Sequence, residues 1–340
     1  MSTPSTPHDT PHTPNEKPFP SMIKLTRPFL SLSQIEALEN ASGVKGPSAT
    51  QMRVQAFNLV LSVAENFKLP MKTIATTMYL FLKNMLHNQT SKTPINDIVI
   101  ACMMVASKIE DTPKKAKELI PFVYSIKHIN LSSTQVEEVK SQVLGLERQI
   151  LETLGFDFRI THPHSYVIKL SKSLGLSQKT ASMAWKMATD LCMTQVSMKA
   201  PAHSAALACV LLAERLQAGQ RLEEGVRDHH RHIVSTRSID DRDIRALCRA
   251  KDVNIALLDL LDFYIHYLNF SQLGKQIHEV SKFMTIRISV NQELSKDGLS
   301  VERRTKSNDL TLRDARISDK GTVRYILDWE KDHCRGEVLS

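Results

Sequence analysis

The sequence is poor in aromatic residues and glycine, and its cysteines are not paired. Aromatic residues make up 6% of the 340 residues, and 11 residues are glycine. Few runs of β-branched or aromatic residues alternate with a period of two, so a sheet is not favoured. The five cysteines lie far apart with no Cys-x-x-Cys pair. This spacing argues against a zinc ribbon, and the odd number indicates a reducing compartment.

Other absences narrow the function. No apolar run reaches the length of a membrane span, and residues 1–20 lack the apolar stretch of a signal peptide. We therefore expect an intracellular protein with no membrane partner. The sequence has no Gly-rich phosphate loop, no H-E-x-x-H motif and no nucleophile elbow. These absences predict a protein that is not an enzyme, with no catalytic residue, no metal and no cofactor.

Helix-forming residues are abundant and periodic, which predicts an all-α fold. The segment 1–47 is Ser/Thr/Pro-rich at its start and is expected to be disordered or irregular. From residue 51 onward, apolar residues recur at steps of three and four. The periodic stretches predict helices at about 51–67, 74–85, 94–109, 116–123 and 133–154, with Thr93 as the N-cap of the third and Pro94 in its first turn. The third of these is apolar nearly all round, which is typical of a helix buried inside a bundle.

A second set of helical stretches follows the first and indicates an internal repeat. It is predicted at 163–174, 179–197, 202–217, 238–249 and 252–268. Ala101-Cys102 in the third helix of the first set matches Ala208-Cys209 in the third helix of the second. We therefore predict two five-helix domains, 48–160 and 161–270, with a polar insertion at 217–238. Residues 271–340 are predicted to form a charged and partly irregular tail.

The residues at the end of the third helix resemble a known family. The segment from Ala101 to Lys115, ACMMVASKIEDTPKK, is similar to the third-helix signature of the transcription-type cyclins (the K, T, L and C types). The segment Leu154-Gly155-Phe156-Asp157-Phe158 resembles the end of the fifth helix in that family. The resemblance covers roughly Ala49 to Phe270 and implies two tandem cyclin boxes. The likeness is strongest to the fungal cyclin subunit of the kinase of the RNA polymerase II C-terminal domain.

This resemblance implies a function and its partners. The expected role is a regulatory subunit that binds and activates a cyclin-dependent kinase catalytic subunit, with RNA polymerase II as the substrate of the complex. A third subunit is usual in the fungal complex, and the implied location is the nucleus, with a cytoplasmic pool left open. Lys108 and Glu147 match the lysine and glutamate that bind the kinase in the family, and Ile109 matches an apolar neighbour.

Chemistry alone leaves other interpretations of these residues open. A lysine at the C-terminal end of a helix is favoured by the helix dipole, which accounts for Lys108 without a partner. Glu147 on a long amphipathic helix is also compatible with an ordinary solvated side chain.

The sequence departs from the cell-cycle cyclins at two places. The motif Met52-Arg53-Val54-Gln55-Ala56 keeps only the Met-Arg of those cyclins, and Tyr79–Lys83 lacks the aspartate that pairs with that arginine there. Both departures favour the transcription branch.

Four Thr-Pro dipeptides near the N-terminus are candidate phosphorylation sites, because cyclin-dependent kinases prefer Ser/Thr-Pro. The threonines are Thr3, Thr6, Thr10 and Thr13. A merely flexible Pro-rich tail is the alternative. The segment Asp228–His232 is interpreted as a solvated loop rather than a metal site. The basic stretch around it lacks interleaved aromatic residues, so we expect no direct binding of nucleic acid.

Two rival functions stay open. One uses a similar fold, and the other needs none of the predicted site residues. A cyclin-fold general transcription factor that binds DNA would carry paired cysteines near its N-terminus, and no cysteine precedes Cys102. A helical scaffold without a kinase would require neither Lys108 nor Glu147.

Overall fold

The computed structural model describes residues 29–89, 93–223 and 248–296. This part of the chain contains twelve α-helices and no strand, so the all-α prediction is confirmed. The helices are α1 (Leu32–Ser42), α2 (Gly46–Phe67), α3 (Met71–His87), α4 (Ile95–Ile109), α5 (Ala116–Ser125), α6 (Ser133–Leu154), α7 (Pro163–Ser173), α8 (Gln178–Asp190), α9 (Val196–Lys199), α10 (Ala202–Glu223), α11 (Ala250–Tyr267) and α12 (Val280–Lys296). None of them is long and apolar enough to cross a membrane.

The first repeat is built around α4. Twelve of its fifteen residues, Asn96 to Ser107 without interruption, are buried. Helices α2, α3, α5 and α6 pack around it, which confirms that the all-round apolar pattern marks a central helix. The helix begins one residue later than predicted, because Pro94 rather than Thr93 occupies the N-cap position.

Helix α6 closes the first repeat and is defined at both ends by local sequence. Ser132 and Gln135 form a reciprocal capping box at its start. Gly155 adopts a left-handed conformation with φ of 68° and ends the helix. The inward face of the helix carries buried Val143 and Ile150. The predicted apolar face of this helix is thus confirmed.

The second repeat is built around α10, which packs against α7, α8 and α11. The segment Ala205–Val210 of α10 is buried throughout, as its counterpart in α4 is. The single helix predicted at 179–197 is wrong in detail, because it is interrupted by a 3₁₀ turn, Leu191–Met193, before the short α9. The helix predicted at 238–249 lies almost wholly outside the described residues.

The two repeats share one continuous apolar core, and Arg53 joins them across it. The Nε of Arg53 donates a hydrogen bond to the main-chain oxygen of Met193 at 2.9 Å, and its Nη2 donates to Thr50 Oγ1 at 2.6 Å. Met193 lies in the 3₁₀ turn that interrupts the predicted helix. Arg53 of the first repeat therefore binds a carbonyl in the turn that interrupts the predicted helix of the second repeat.

A polar network makes a second junction between the repeats. Thr76 on α3 donates to Glu110 Oε1 at 2.5 Å and lies 2.7 Å from Nε2 of His162, the residue that precedes α7. Lys72 Nζ pairs with Glu110 at 2.5 Å. Burial lowers the pKa of His162 to about 4, with Glu110 opposing that shift. Burial likewise lowers the pKa of His164 to about 4.

Helix α1 lies inside the segment 1–47, which was predicted to be irregular. Ser31 caps it through a capping box with Gln34. The helix packs against α3, and Gln195 Nε2 donates to Glu39 Oε1 at 2.5 Å. The N-terminal segment therefore begins the fold earlier than predicted, and it contacts both repeats.

Two further boundaries differ from the prediction. Helix α10 continues through residues 217–223, so the predicted polar insertion at 217–238 begins within a helix. Helix α12 lies in the segment 271–340, which was predicted to be a tail. It packs on α11 with Phe283 buried, and the ring centroids of Phe283 and Tyr264 are 4.8 Å apart. Residues 224–247 and 297–340 are outside the described part.

We expect Arg53→Ala to destabilise the fold. It leaves the buried oxygen of Met193 without its charged donor, and loss of such a hydrogen bond costs roughly 2–3 kcal/mol. Arg148→Ala is the matched control, because the Arg148 side chain is 84% exposed and pairs with Glu152 one turn away on the same helix. Urea unfolding of both variants measures the difference. Equal stability of the two would contradict the role given to Arg53.

We also expect stability to fall in mild acid. The ordinary histidine pKa is near 6.5 and the folded values of His162 and His164 are about 4. Between these values the unfolded state binds more protons than the folded state, so stability is complete above pH 6.5 and is lost as the pH falls toward 4. The shift corresponds to on the order of 3 kcal/mol for each histidine. Urea unfolding between pH 7 and 4 should show a shallower pH slope in the His162→Gln, His164→Gln variant, and an unchanged slope would refute this assignment.

Candidate functional site

Lys108 and Glu147 are brought together by the packing of α4 on α6. Lys108 lies in the last turn of α4 and Glu147 near the middle of α6. Lys108 Nζ is 2.5 Å from Glu147 Oε1. The Lys108 side chain is 54% exposed, whereas that of Glu147 is only 12% exposed. Glu147 is therefore a buried carboxylate that faces a surface ammonium, and not a solvated side chain.

This arrangement leaves Lys108 with unused hydrogen-bond donors at the surface. An ammonium group has three N–H donors, and the carboxylate of Glu147 takes one of them. The pair also holds the flexible lysine side chain in one direction, which reduces the entropy that a partner must remove on binding. The remaining donors suit main-chain carbonyl oxygens at the end of a helix or in a loop.

Ile109, the apolar neighbour of Lys108, is only partly exposed. It is the last residue of α4, is partly buried, and packs against the core of its own chain. Its exposed part lies beside Lys108. The structure thus places all three predicted residues at one end of the α4–α6 contact.

Exposed apolar side chains lie along α6 and just beyond its end, and sequence reasoning did not single them out. Leu144 is 46% exposed, Phe156 62% and Phe158 45%. The two rings meet edge to face with centroids 6.4 Å apart. Asp157, which separates the two phenylalanines in the sequence, accepts a hydrogen bond from Arg159 Nη2 through its Oδ2 at 2.6 Å. One signal was available in the sequence, because Phe156 and Phe158 follow the helix-ending Gly155 and so lie outside the apolar face of α6.

Phe156 is held in an unfavourable backbone conformation. Its φ is 56°, in the left-handed region that non-glycine residues rarely adopt. Such conformations cost free energy and cluster at functional sites. An exposed aromatic ring on a strained backbone contributes little to the stability of the chain that carries it.

Glu110 and its neighbours are a further group that the sequence did not predict. Glu110 follows Ile109 directly, and its side chain is 3% exposed and paired with Lys72. The network with Thr76 and His162 connects this end of α4 to the second repeat. Within the described residues no group of three or more His, Cys, Asp or Glu side chains is placed to hold a metal ion. The histidine-rich segment Asp228–His232 lies outside those residues.

Comparison with known proteins identifies the family. The Cyclin, N-terminal domain family matches residues 29–159. The CTD kinase subunit beta of Schizosaccharomyces pombe is 32% identical over 260 residues, covering 74% of this chain and 71% of that protein. The chain belongs to the cyclin family. The cyclin is also 25% identical to the CTD kinase subunit beta of Saccharomyces cerevisiae, with 82% of each chain covered.

Two other matches extend the family relationship. Human Cyclin-K is 28% identical over 188 residues, which cover 54% of this cyclin and 31% of Cyclin-K. The crystal structure of the yeast RNA Pol II CTD kinase CTDK-1 complex contains a chain that this cyclin matches with a TM-score of 0.70 and 23% identity. The match covers 94% of this cyclin and 100% of that chain. The predicted fold class of tandem cyclin boxes is confirmed, and as a cyclin the chain is a regulatory subunit and not a catalytic one.

We expect Phe156→Gly to separate stability from binding in this cyclin. Glycine adopts φ of 56° without strain, so the free energy of unfolding should rise by about 0.5–1 kcal/mol. The same change removes the exposed ring, so affinity for the partner should fall. Thermal unfolding and a binding assay test the two effects separately. Phe158→Ser is the control, because it removes the neighbouring ring without relieving strain. A loss of stability in Phe156→Gly would show that the ring is structural.

Proposed function

We propose that this cyclin binds and activates a cyclin-dependent kinase that phosphorylates the C-terminal repeats of RNA polymerase II during transcription elongation in the nucleus. The carrying observation is the similarity over most of both chains to two fungal proteins named CTD kinase subunit beta. The rival transcription-factor and scaffold functions have no comparable support among the relatives named above. A third subunit of the complex stays a prediction.

The proposed binding surface consists of Lys108, Ile109, Glu147, Leu144 and Phe156. It combines one oriented ammonium group with two exposed apolar side chains, Leu144 on α6 and Phe156 just beyond the end of that helix. Such a surface fits the end of an amphipathic helix, where main-chain carbonyls lack partners and apolar residues line one face. We propose that it receives the mobile αC helix of the kinase.

Activation follows from binding one conformation of the kinase. A protein kinase is active when a glutamate on its αC helix pairs with the lysine that positions the ATP phosphates. A partner that binds only the inward position of this helix shifts the equilibrium by its difference in affinity for the two states. The cyclin supplies a rigid surface for that selection, and it takes no part in bond making or breaking.

A charge exchange tests whether Lys108 and Glu147 act on the partner or only support the fold. Lys108→Ala should weaken kinase binding roughly 10–100-fold, as expected for a central contact. The double variant Lys108→Glu, Glu147→Lys keeps an ion pair between α4 and α6 but presents the wrong charge. We expect it to recover stability relative to the single variants without recovering kinase binding. The measurements are urea unfolding and affinity for the kinase that co-purifies with the wild-type cyclin.

The matched control is the ion pair of Lys117 and Glu137, 3.3 Å apart, which also bridges two neighbouring helices and is exposed on both sides. Removing it should leave kinase binding unchanged. If the charge-exchanged cyclin regained both stability and binding, the pair would be structural, and the assignment of the site would be wrong. A wild-type cyclin that purified without any kinase would instead contradict the function.

We also propose that Thr3, Thr6, Thr10 and Thr13 are phosphorylated in the active complex. All four precede proline and lie outside the described residues. Phosphopeptide mapping of the complex after incubation with Mg-ATP should find phosphate on these threonines and a more acidic N-terminal segment. Four unmodified threonines in an otherwise active complex would rule this out.

A further inference from the structure

The link between α4 and α5 contains a Thr-Pro dipeptide, Thr112-Pro113, which differs from those near the N-terminus. The chain has six Thr-Pro dipeptides, and only Thr112-Pro113 has a lysine at the third position after the threonine, Lys115. Thr93-Pro94, the other such dipeptide within the described residues, has Asn96 there. A proline holds the residue before it in extended backbone, and kinases that act on Ser/Thr-Pro read such a segment together with a nearby positive charge.

The position of Thr112 in the fold makes it reachable. Residues 112–115 are not helical, the side chains of Pro113 and Lys115 are exposed, and Thr112 is partly exposed. The Thr112 N–H donates to the main-chain oxygen of Ser107 at 2.8 Å. Its hydroxyl contacts Thr73 Oγ1 at 3.0 Å. The link lies at the surface, and these two hydrogen bonds tie it to the buried residues Ser107 and Thr73. A kinase therefore reaches the Thr112 hydroxyl once its contact with Thr73 opens.

The surroundings of Thr112 oppose a new negative charge. Glu110 is a nearly buried carboxylate whose hydrogen bond from Thr76 and ion pair with Lys72 link α3 to the end of α4. Asp111 lies between Glu110 and Thr112. A phosphate carries about −1.5 to −2 charges, and beside carboxylates it displaces a segment by repulsion. It also replaces the contact between the Thr112 and Thr73 hydroxyls and competes with Glu110 for Lys72.

We propose that Thr112 is a phosphorylation site for a proline-directed Ser/Thr kinase and that phosphate there weakens binding of the cyclin to its own kinase. The γ-phosphoryl group of Mg-ATP is transferred to Thr112 Oγ1. The bond from phosphorus to the ADP oxygen breaks, and the hydroxyl proton passes to the catalytic carboxylate of the modifying kinase. The second half of the proposal rests on the proposed function, because Lys108 lies only four residues before Thr112.

The first experiment tests the modification on the full chain. The cyclin is incubated with Mg-ATP and a purified cyclin-dependent kinase that carries a different cyclin, and phosphate is located by mass spectrometry. We expect phosphate on Thr112, with labelling lost in Pro113→Ala, which keeps the hydroxyl, and retained in Thr93→Ala. Absence of phosphate on Thr112, or its persistence in Pro113→Ala, would overturn the site.

The second experiment tests the consequence. Wild type and Thr112→Val are both treated with the modifying kinase, so that both carry any phosphate on the N-terminal threonines. Affinity of the treated wild type for its kinase partner should be at least about tenfold lower than that of treated Thr112→Val. Untreated wild type and untreated Thr112→Val should bind equally. Equal binding of the treated proteins would overturn the switch alone, whereas failure of untreated wild type to bind any kinase would overturn the proposed function as well.

Discussion

The complete burial of α4 is the constraint on which the rest of the structure depends. A helix that is apolar on all sides must be surrounded, and α2, α3, α5 and α6 take their places around it. The core ends where α4 ends, so Lys108 is the first residue of the helix to regain contact with solvent. The position of the proposed kinase-binding surface is therefore set by packing. Glu147 can lie buried beneath Lys108 because α6 crosses α4 at this point.

Local sequence predicted the helices of the first repeat well, because their periodicity, Gly155 and the apolar α4 are all local signals. It failed where a distant residue decides the structure. The interruption at Leu191–Met193 is stabilised by Arg53, which lies 140 residues away from the carbonyl that it binds. Phe283 is buried in the common core, where its ring packs against Tyr264 on α11. Helix α1 is different, since its capping box at Ser31 was readable and was outweighed by the composition of the preceding residues.

In the candidate site too, some features could be predicted from the sequence and others are set only by contacts in the folded chain. Lys108 and Glu147 came from resemblance to a family, because a helix pattern cannot distinguish a buried carboxylate from a solvated one. Only the contact between α4 and α6 makes that distinction. The place of Phe156 after the helix-ending Gly155 was readable in the sequence, but its left-handed backbone is a property of the folded chain. Side chains that add little to stability and remain exposed are the ones that a partner explains best.

The continuous core that spans both repeats has a consequence for the lifetime of the protein. Domains with separate cores can unfold one at a time, which leaves half-folded species for proteases to cut. Here the repeats share their apolar interior and are joined by Arg53 and by the Glu110 network. Opening either repeat exposes the interior of the other, so unfolding is expected to be all-or-none. Degradation of the subunit would then track the global unfolding equilibrium, and a bound kinase would prolong its half-life by mass action.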